Sequence, residues 1–144
     1  LSRGVVAPVG KDPFTAPCIR LNFLDAAEDW VRLREAVGMA RHLVSARAFD
    51  ALRAEEVFPG DAVTSAQALD EWLQRFAENA YHLSSSCRMG TTHSDDTVVD
   101  SQCRVLDLEG LRVVDASIMP EIVNANTNAT VMMIAEKAAD LIAD

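Results

Sequence analysis

His82 is the residue of this sequence best suited by type and position to act as a general base. It follows a predicted helix, lies in an extended stretch and is followed shortly by the serines at 84, 85 and 86. The imidazole of histidine changes its charge near neutral pH, so a modest change of surroundings decides whether it accepts a proton. The alternative is a histidine with a structural or surface role, and position alone favours that alternative.

Two other chemistries fit this stretch less well. A serine nucleophile beside His82 would need a suitable turn, but the sequence has no G-x-S-x-G motif, and adjacent residues on a strand point to opposite faces. Cys87, His93 and Cys103 have a C-x5-H-x9-C spacing, which matches no common zinc site. We therefore predict no metal site. We interpret His42 as a solvated helix residue and His93 as part of a polar loop.

Three asparagines, Asn124, Asn126 and Asn128, occupy every second position just before an apolar helical segment. In an extended segment such residues project to one side. Asparagine also suits turns and helix N-caps, so Asn128 or Thr127 could cap the helix while the others form a turn. Alternatively, one amide faces a ligand, toward which the helix N-terminus directs free N–H groups and partial positive charge. The pattern leaves both interpretations open.

Composition excludes several classes of protein. The chain has 144 residues, of which 49% are hydrophobic, enough for a real core. Its net charge of −9 argues against a nucleic-acid partner. It contains neither an apolar run of about 18 residues, as a transmembrane segment requires, nor a glycine-rich phosphate loop. An odd number of cysteines, Cys18, Cys87 and Cys103, indicates reduced thiols in an intracellular, cytoplasmic protein.

Hydrophobic periodicity predicts three helices and about five short strands. Strands are predicted at 3–9 and 18–24, and a hairpin at 104–106 and 111–115 with its turn near Gly110. One helix opens at Asp25, a second is capped by Thr64 or Ser65, and a third spans 129–142. The apolar stripes predicted for them are Trp30, Leu33, Val37, Ala40 and Val44; Leu69, Trp72, Leu73, Phe76 and Ala80; and Val131, Ile134, Ala135, Ala138 and Leu141. Without βαβ alternation, this content indicates an α+β fold, an antiparallel sheet with helices packed on one face.

Four segments of the sequence together resemble the C-terminal part of the glucose–methanol–choline (GMC) family of flavoprotein oxidoreductases, nearest its choline-dehydrogenase-like branch. They are "SRGVVAPVGKDPFTAPCIRLNFL", "YHLSSSCRMGT", "VVDSQCRVLDLEGLRVVDASIMP" and "NANTNATVMMIAEKAADLI". The resemblance implies an FAD-dependent enzyme that oxidises an alcohol, choline-like or another primary alcohol, by passing hydride to flavin N5. It also implies that this chain is the C-terminal portion of a longer polypeptide, whose N-terminal dinucleotide-binding unit is absent from this chain.

The resemblance further implies a division of the chain and a set of site residues. Residues 1–93 would belong to the substrate-binding domain, and the strand and helix within 94–144 would complete the FAD-binding domain. His82 matches the catalytic histidine and Asn126 the second active-site position. Asp115 and Ala116 match a segment along the ribityl and phosphate part of FAD.

Two further matches concern the flavin ring. Thr127 and Asn128 match positions whose backbone approaches it, with Asn128 as the cap of the last helix and Asn124 structural. One departure is that Leu83 stands where the family usually has proline after the histidine. The alternatives are a non-catalytic fragment that does not hold FAD by itself, which we expect of the isolated chain, and a lyase on the same scaffold.

Overall fold

The computed structural model of the chain describes residues 1–91 and 95–143. The chain divides into two compact units, Leu1–Glu78 and Asn79–Asp144. The predicted boundary between 93 and 94 refers to the domains of a longer protein and stays a prediction. Every residue assigned to the candidate site lies within the second unit.

The first unit begins with a two-stranded antiparallel sheet. Strand β1 spans Val5–Ala7 and strand β2 spans Cys18–Arg20, with Val6 opposite Ile19. Both predicted strands are therefore confirmed, in shorter form. Gly4 lies just before β1, where an added Cβ would come within 2.6 Å of the Arg20 carbonyl oxygen, so the close approach of the two chains there requires glycine.

Two helices follow the sheet. Helix α1 spans Ala27–Val44, and its N-cap is Ala26, without a capping side chain, so the predicted start at Asp25 is early by two residues. Helix α2 spans Ala66–Phe76 and is capped by Ser65, whose hydroxyl accepts from the Ala68 N–H at 3.1 Å, as predicted. A short 3₁₀ helix, Arg47–Phe49, follows α1.

The apolar stripe of α1 is covered only along its first part. Trp30, Leu33 and Val37 are half-buried, whereas Ala40 and Val44 are exposed. On α2 the predicted Leu69 and Leu73 are buried, and Trp72 and Phe76 pack edge-on against Phe58 at ring-centre distances of 4.9 Å. The predicted Ala80 is exposed because the helix ends before it, at Phe76.

The second part of α1 is held by polar contacts of Arg41 instead of by apolar packing. The Arg41 guanidinium forms a two-pronged ion pair with Glu56, with both N–O distances at 2.8 Å, and donates to the carbonyl oxygens of Gly60 and Val63. This pairing lowers the pKa of Glu56 and raises that of Arg41. The loop at 58–63 is thus held to α1 by the Arg41 hydrogen bonds and by the ion pair with the neighbouring Glu56.

The second unit has its core under the last helix. Helix α3 spans Asn128–Ala143, and a short 3₁₀ helix spans Ala116–Ile118. The buried core consists of Val99, Cys103, Ile118 and Ala138, surrounded by partly buried apolar side chains. Four of the five predicted stripe residues of α3 lie on its covered side, and Ala135 is exposed.

The predicted hairpin is present as backbone pairing without regular strands. Isolated bridges join Arg104 to Arg112 and Val99 to Val105, both antiparallel, and Gly110 has a φ of 74° at the turn. The described residues therefore contain two regular strands, and the prediction of about five is wrong. The backbone pairings in this unit are too short to form strands, because a turn interrupts each of them after one or two residues. The α+β class itself is confirmed.

None of the helices in the described ranges combines the length and apolar content that a membrane crossing requires.

The turn between Val99 and Arg104 depends on one carboxylate. Asp100 accepts from the backbone N–H groups of Gln102 and Arg104 at 2.8 and 2.9 Å, and from Arg104 Nε at 2.8 Å. Burial of Asp100 raises its pKa, but these hydrogen bonds and the Arg104 charge outweigh burial, so the pKa lies below its usual value. Asp100 therefore stabilises the fold above the unfolded-state pKa, and that contribution is lost as pH falls through the folded-state pKa.

We expect Asp100→Asn to reduce the free energy of unfolding by about 1 kcal/mol at pH 7, since the charge-assisted part of these bonds is removed. The difference from wild type should be smaller at pH 3, since the stability contributed by a carboxylate with a lowered pKa is lost progressively once pH falls below the unfolded-state pKa. Urea denaturation at both pH values measures it, with Asp140→Asn, an exposed position on α3, as control. An equal loss at both pH values would contradict the assignment.

Candidate active site

His82 lies in a segment with an unusual backbone. Its neighbour Tyr81 has a φ of 60° and Ser85 a φ of 69°, so two non-glycine residues in the left-handed region flank the half-buried histidine. Each such residue costs roughly 1–3 kcal/mol and persists only where surrounding contacts impose it, often at functional sites. The side-chain oxygen of Asn79 accepts from the Tyr81 N–H at 2.7 Å and supports the first of these turns.

The rest of the segment is fastened to the 3₁₀ helix Ala116–Ile118. Alternate backbone N–H groups, those of Ser85, Cys87 and Met89, donate to three successive carbonyl oxygens, those of Ala116, Ser117 and Ile118, at 3.3, 2.9 and 2.9 Å. The segment after His82 is therefore fixed by the backbone of Ala116, one of the two predicted cofactor-binding residues of this region, and of the two residues that follow it.

Asp115 holds that 3₁₀ helix in place. Its Oδ1 accepts from the backbone N–H of Ser117 at 2.8 Å and from the Ser117 hydroxyl, so Asp115 is its N-cap. The other oxygen, Oδ2, makes no hydrogen bond within the part of the chain that the structure describes, and the residue is exposed. Asp115 can thus stabilise the turn and still present one carboxylate oxygen to a ligand.

On its other side, His82 contacts the start of α3. The Thr127 hydroxyl Oγ1 lies 3.0 Å from His82 Nδ1, and Thr127 is only 7% exposed. Its backbone is fixed as well, because the Thr127 carbonyl accepts from the Val131 N–H at 2.9 Å, the first bond of the helix. Within the described residues, the imidazole makes this one hydrogen bond, through Nδ1. Nε2 has no partner there and is left for another group.

The three asparagines of the neighbouring segment are all exposed. Helix α3 begins at Asn128 itself, whose amide nitrogen contacts the sulfur of Met132 at 3.7 Å, so the prediction that Asn128 caps the helix is wrong. The physical reason is that Asn128 already has helical geometry, and the residue before it closes the first turn. Asn126 makes no side-chain hydrogen bond within the described ranges and directly precedes Thr127.

The other candidates do not join His82. The hydroxyls of Ser84 and Ser85 lie 3.2 Å from each other instead of pairing with the imidazole. His42 is exposed on α1, as predicted, and His93 lies outside the described residues, so the interpretation of its loop and the expected absence of zinc stay predictions. Burial, with a smaller contribution from Asp100, raises the pKa of the Cys103 thiol, which keeps this core residue protonated.

Sequence patterns missed the side-chain role of Thr127. They indicated an approach of its backbone to a ligand and a possible cap, but the hydroxyl is used for His82. The available signal was a β-branched polar residue directly before an apolar helix, which is ambiguous because the same type often caps. The partner lies 45 residues away in sequence, a separation that no local pattern reveals.

The donors at the start of α3 fit an electron-rich ligand group such as a flavin carbonyl. The first N–H groups of a helix have no partner within it, and in α3 the first intrahelical bond is that of Val131. Asn128 and Ala129 are exposed there, and the first turn of the helix carries no acidic residue that would compete for these donors. The amino end of α3 is therefore chemically suited to a partly negative group.

Comparison with known proteins is consistent along the whole chain. A family model described as GMC oxidoreductase matches residues 1–135. An oxygen-dependent choline dehydrogenase from Pectobacterium atrosepticum is 46% identical over 142 residues, which is 99% of this chain and 25% of the relative. The chain thus spans about a quarter of the length of the curated relatives that it matches.

Solved structures agree with this similarity. Pyridoxine 4-oxidase from Mesorbium loti has a TM-score of 0.83 and 32% identity over 95% of this chain and 26% of its own. A variant of formate oxidase from Aspergillus oryzae RIB40, solved to follow modification of its FAD, has a TM-score of 0.80 and 29% identity, over 96% of this chain and 24% of its own.

Proposed function

Because this chain belongs to the GMC oxidoreductase family, we propose that it is the C-terminal portion of an FAD-dependent oxidoreductase acting on the CH–OH group of an alcohol. His82 is the base that receives the hydroxyl proton. Residues 1–93 contribute to the substrate-binding domain and 94–144 complete the FAD-binding domain. The N-terminal FAD-binding part of the same polypeptide is the partner, and we place the protein in the cytoplasm.

The observation that carries this proposal is the state of the His82 ring. One nitrogen, Nδ1, is occupied by the buried Thr127 hydroxyl at 3.0 Å, while Nε2 has no partner among the described residues. A general base needs both features, an anchored ring and a free nitrogen within reach of the proton that it removes. The contact lies one residue before the amino end of α3, where the donors suit a flavin.

We assign Asn126 to the same substrate oxygen as a hydrogen-bond donor. Its amide is exposed and not used by the described residues, so it is free to donate to the substrate oxygen. As the proton moves to His82, negative charge grows on that oxygen, and a preorganised donor stabilises it more than it stabilises the neutral alcohol. Proton removal by His82 and charge stabilisation by Asn126 together make the carbon–hydrogen bond easier to break.

The bound FAD supplies the acceptor for the hydride of the alcohol carbon. In this chain, the free N–H groups of Asn128 and Ala129 would face the flavin carbonyls, where the partial positive charge of the helix end favours negative charge by roughly 0.3–2 kcal/mol. Asp115, with one carboxylate oxygen unused, would accept from hydroxyl groups of the ribityl chain, and the Ala116 backbone would lie beside it.

The substrate class is a small primary alcohol, with choline-like alcohols first. The support is the 46% identity to an oxygen-dependent choline dehydrogenase, and the neighbours named above act on other small molecules. A quaternary ammonium group is bound best by aromatic faces and carboxylates. The alternative is that this chain by itself is a non-catalytic module, which the quarter-length match supports.

Replacing His82 with alanine in the full-length enzyme should lower the anaerobic rate of flavin reduction by about 10²–10⁴-fold, because the alcohol proton loses its acceptor. FAD content should stay unchanged, and His82→Gln should retain part of the rate through hydrogen bonding alone. Stopped-flow absorbance measures the rate, and His42→Ala, at an exposed position on α1, is the control. An equally fast His82→Ala enzyme would end the assignment.

Asn126→Ala should lower kcat/KM by about 10²-fold through loss of a donor to the developing charge. Asn124→Ala removes an equally exposed amide two residues earlier and should change kcat/KM less than twofold, an allowance of about 0.4 kcal/mol. Steady-state kinetics on both variants decide the matter. Equal effects of the two substitutions would remove Asn126 from the mechanism.

The isolated chain should not retain FAD after purification, since it contains no glycine-rich phosphate loop. An absorbance spectrum of the purified protein, compared with that of the full-length enzyme, tests this expectation. A flavin band that persists through gel filtration of the isolated chain would contradict it.

A further inference from the structure

We propose that Thr127 is the positioning residue that keeps the proton of neutral His82 on Nδ1, so that Nε2 is free to act as the base. This inference rests on the proposed function for its catalytic meaning. The tautomer itself is a property of the histidine that is measured without any reaction.

The geometry of the pair is fixed from both sides. Thr127 is nearly buried, its carbonyl closes the first turn of α3, and its β-branched side chain has few rotamers, so the positions open to Oγ1 are limited. His82 is held by the left-handed turns around it and by the hydrogen bonds of Ser85 and Cys87 to the 3₁₀ helix. The 3.0 Å contact thus joins two anchored elements.

The direction of this hydrogen bond decides the chemistry of the ring. A neutral imidazole carries one proton, and the nitrogen that holds it is set by the partner of the other. If the Thr127 hydroxyl donated to Nδ1, the proton would sit on Nε2, which could then give but not take a proton. If Nδ1–H donates to Oγ1, Nε2 has a free lone pair. When the alcohol proton moves to Nε2, the Nδ1 proton stays in place and the imidazolium keeps its bond to Oγ1.

The hydroxyl of threonine suits this task, because it accepts from Nδ1–H before the transfer and from the charged ring after it. Valine at 127 would preserve the shape of the side chain and remove the acceptor, so the ring would be released to the other tautomer. Serine would restore the acceptor without the methyl group. The pair Thr127→Val and Thr127→Ser therefore separates hydrogen bonding from packing.

The test uses solid-state nitrogen-15 NMR of the histidine-labelled full-length enzyme at a pH where histidine is neutral. His82 signals are those that disappear in His82→Gln. Wild type and Thr127→Ser should show protonated Nδ1 and unprotonated Nε2, and Thr127→Val should shift toward protonated Nε2. Thr130→Val, a matched substitution three residues later in the first turn of α3, is the control for the tautomer and for thermal stability. A wild-type ring protonated on Nε2, or a tautomer unchanged by Thr127→Val, would overturn the proposal.

Kinetics complete the test. Thr127→Val should lower kcat/KM by roughly tenfold, the rate equivalent of one ordinary hydrogen bond, and Thr127→Ser should recover most of it. Unchanged kcat/KM in Thr127→Val, despite a changed tautomer, would refute the positioning role. Failure of the proposed function looks different, because an active His82→Ala enzyme would remove the base whatever tautomer the ring shows.

Discussion

The arrangement of the second unit depends on one set of backbone hydrogen bonds, those from alternate N–H groups at 85, 87 and 89 to the carbonyls at 116, 117 and 118. They fasten the segment after His82 to a single turn of 3₁₀ helix. Ile118, on that turn, is buried beside Val99 and Ala138 in the core. The segment that carries His82 is therefore linked to the hydrophobic core by backbone hydrogen bonds. Such bonds hold a position more firmly than a series of side-chain contacts would.

A second constraint comes from the helix that follows. Thr127 ends the loop before α3, and its hydroxyl meets the imidazole where the helix begins. The base thus contacts the residue that directly precedes the unused donors of the helix end. Such a direct contact matters in any enzyme, because misplacing a catalytic group by about 1 Å lowers the reaction rate by a large factor. The three asparagines of this segment are exposed.

The sequence predicted the helices well because their signals are local. The Ser65 cap, the stripe through Leu69 and Leu73, and the apolar face of α3 all follow from periodicity within one segment. It overestimated the strands, since residues 99–113 pair through isolated bridges between tight turns. Alternating apolar residues indicate that one side of a segment is buried. One-sided burial occurs in tightly turning segments such as this one as well as in regular strands.

For the site, the family resemblance and the residue types indicated His82 and Asn126, but the pattern misjudged the start of α3. Asn128 lies inside the helix, and the residue before it uses its hydroxyl for His82 instead of for capping. Capping is a local event that sequence can predict, whereas the histidine is 45 residues away. That contact exists only because the core brings the two segments together, so only the folded structure reveals it.

The most direct measurement of the central claim is anaerobic reduction of the full-length enzyme across a panel of alcohols, followed by flavin absorbance. We predict that at least one small primary alcohol, with choline tested first, bleaches the flavin band of the wild-type enzyme. Deuterium at the alcohol carbon should slow the bleaching. A flavin that stays oxidised with every alcohol of the panel would contradict the proposed function.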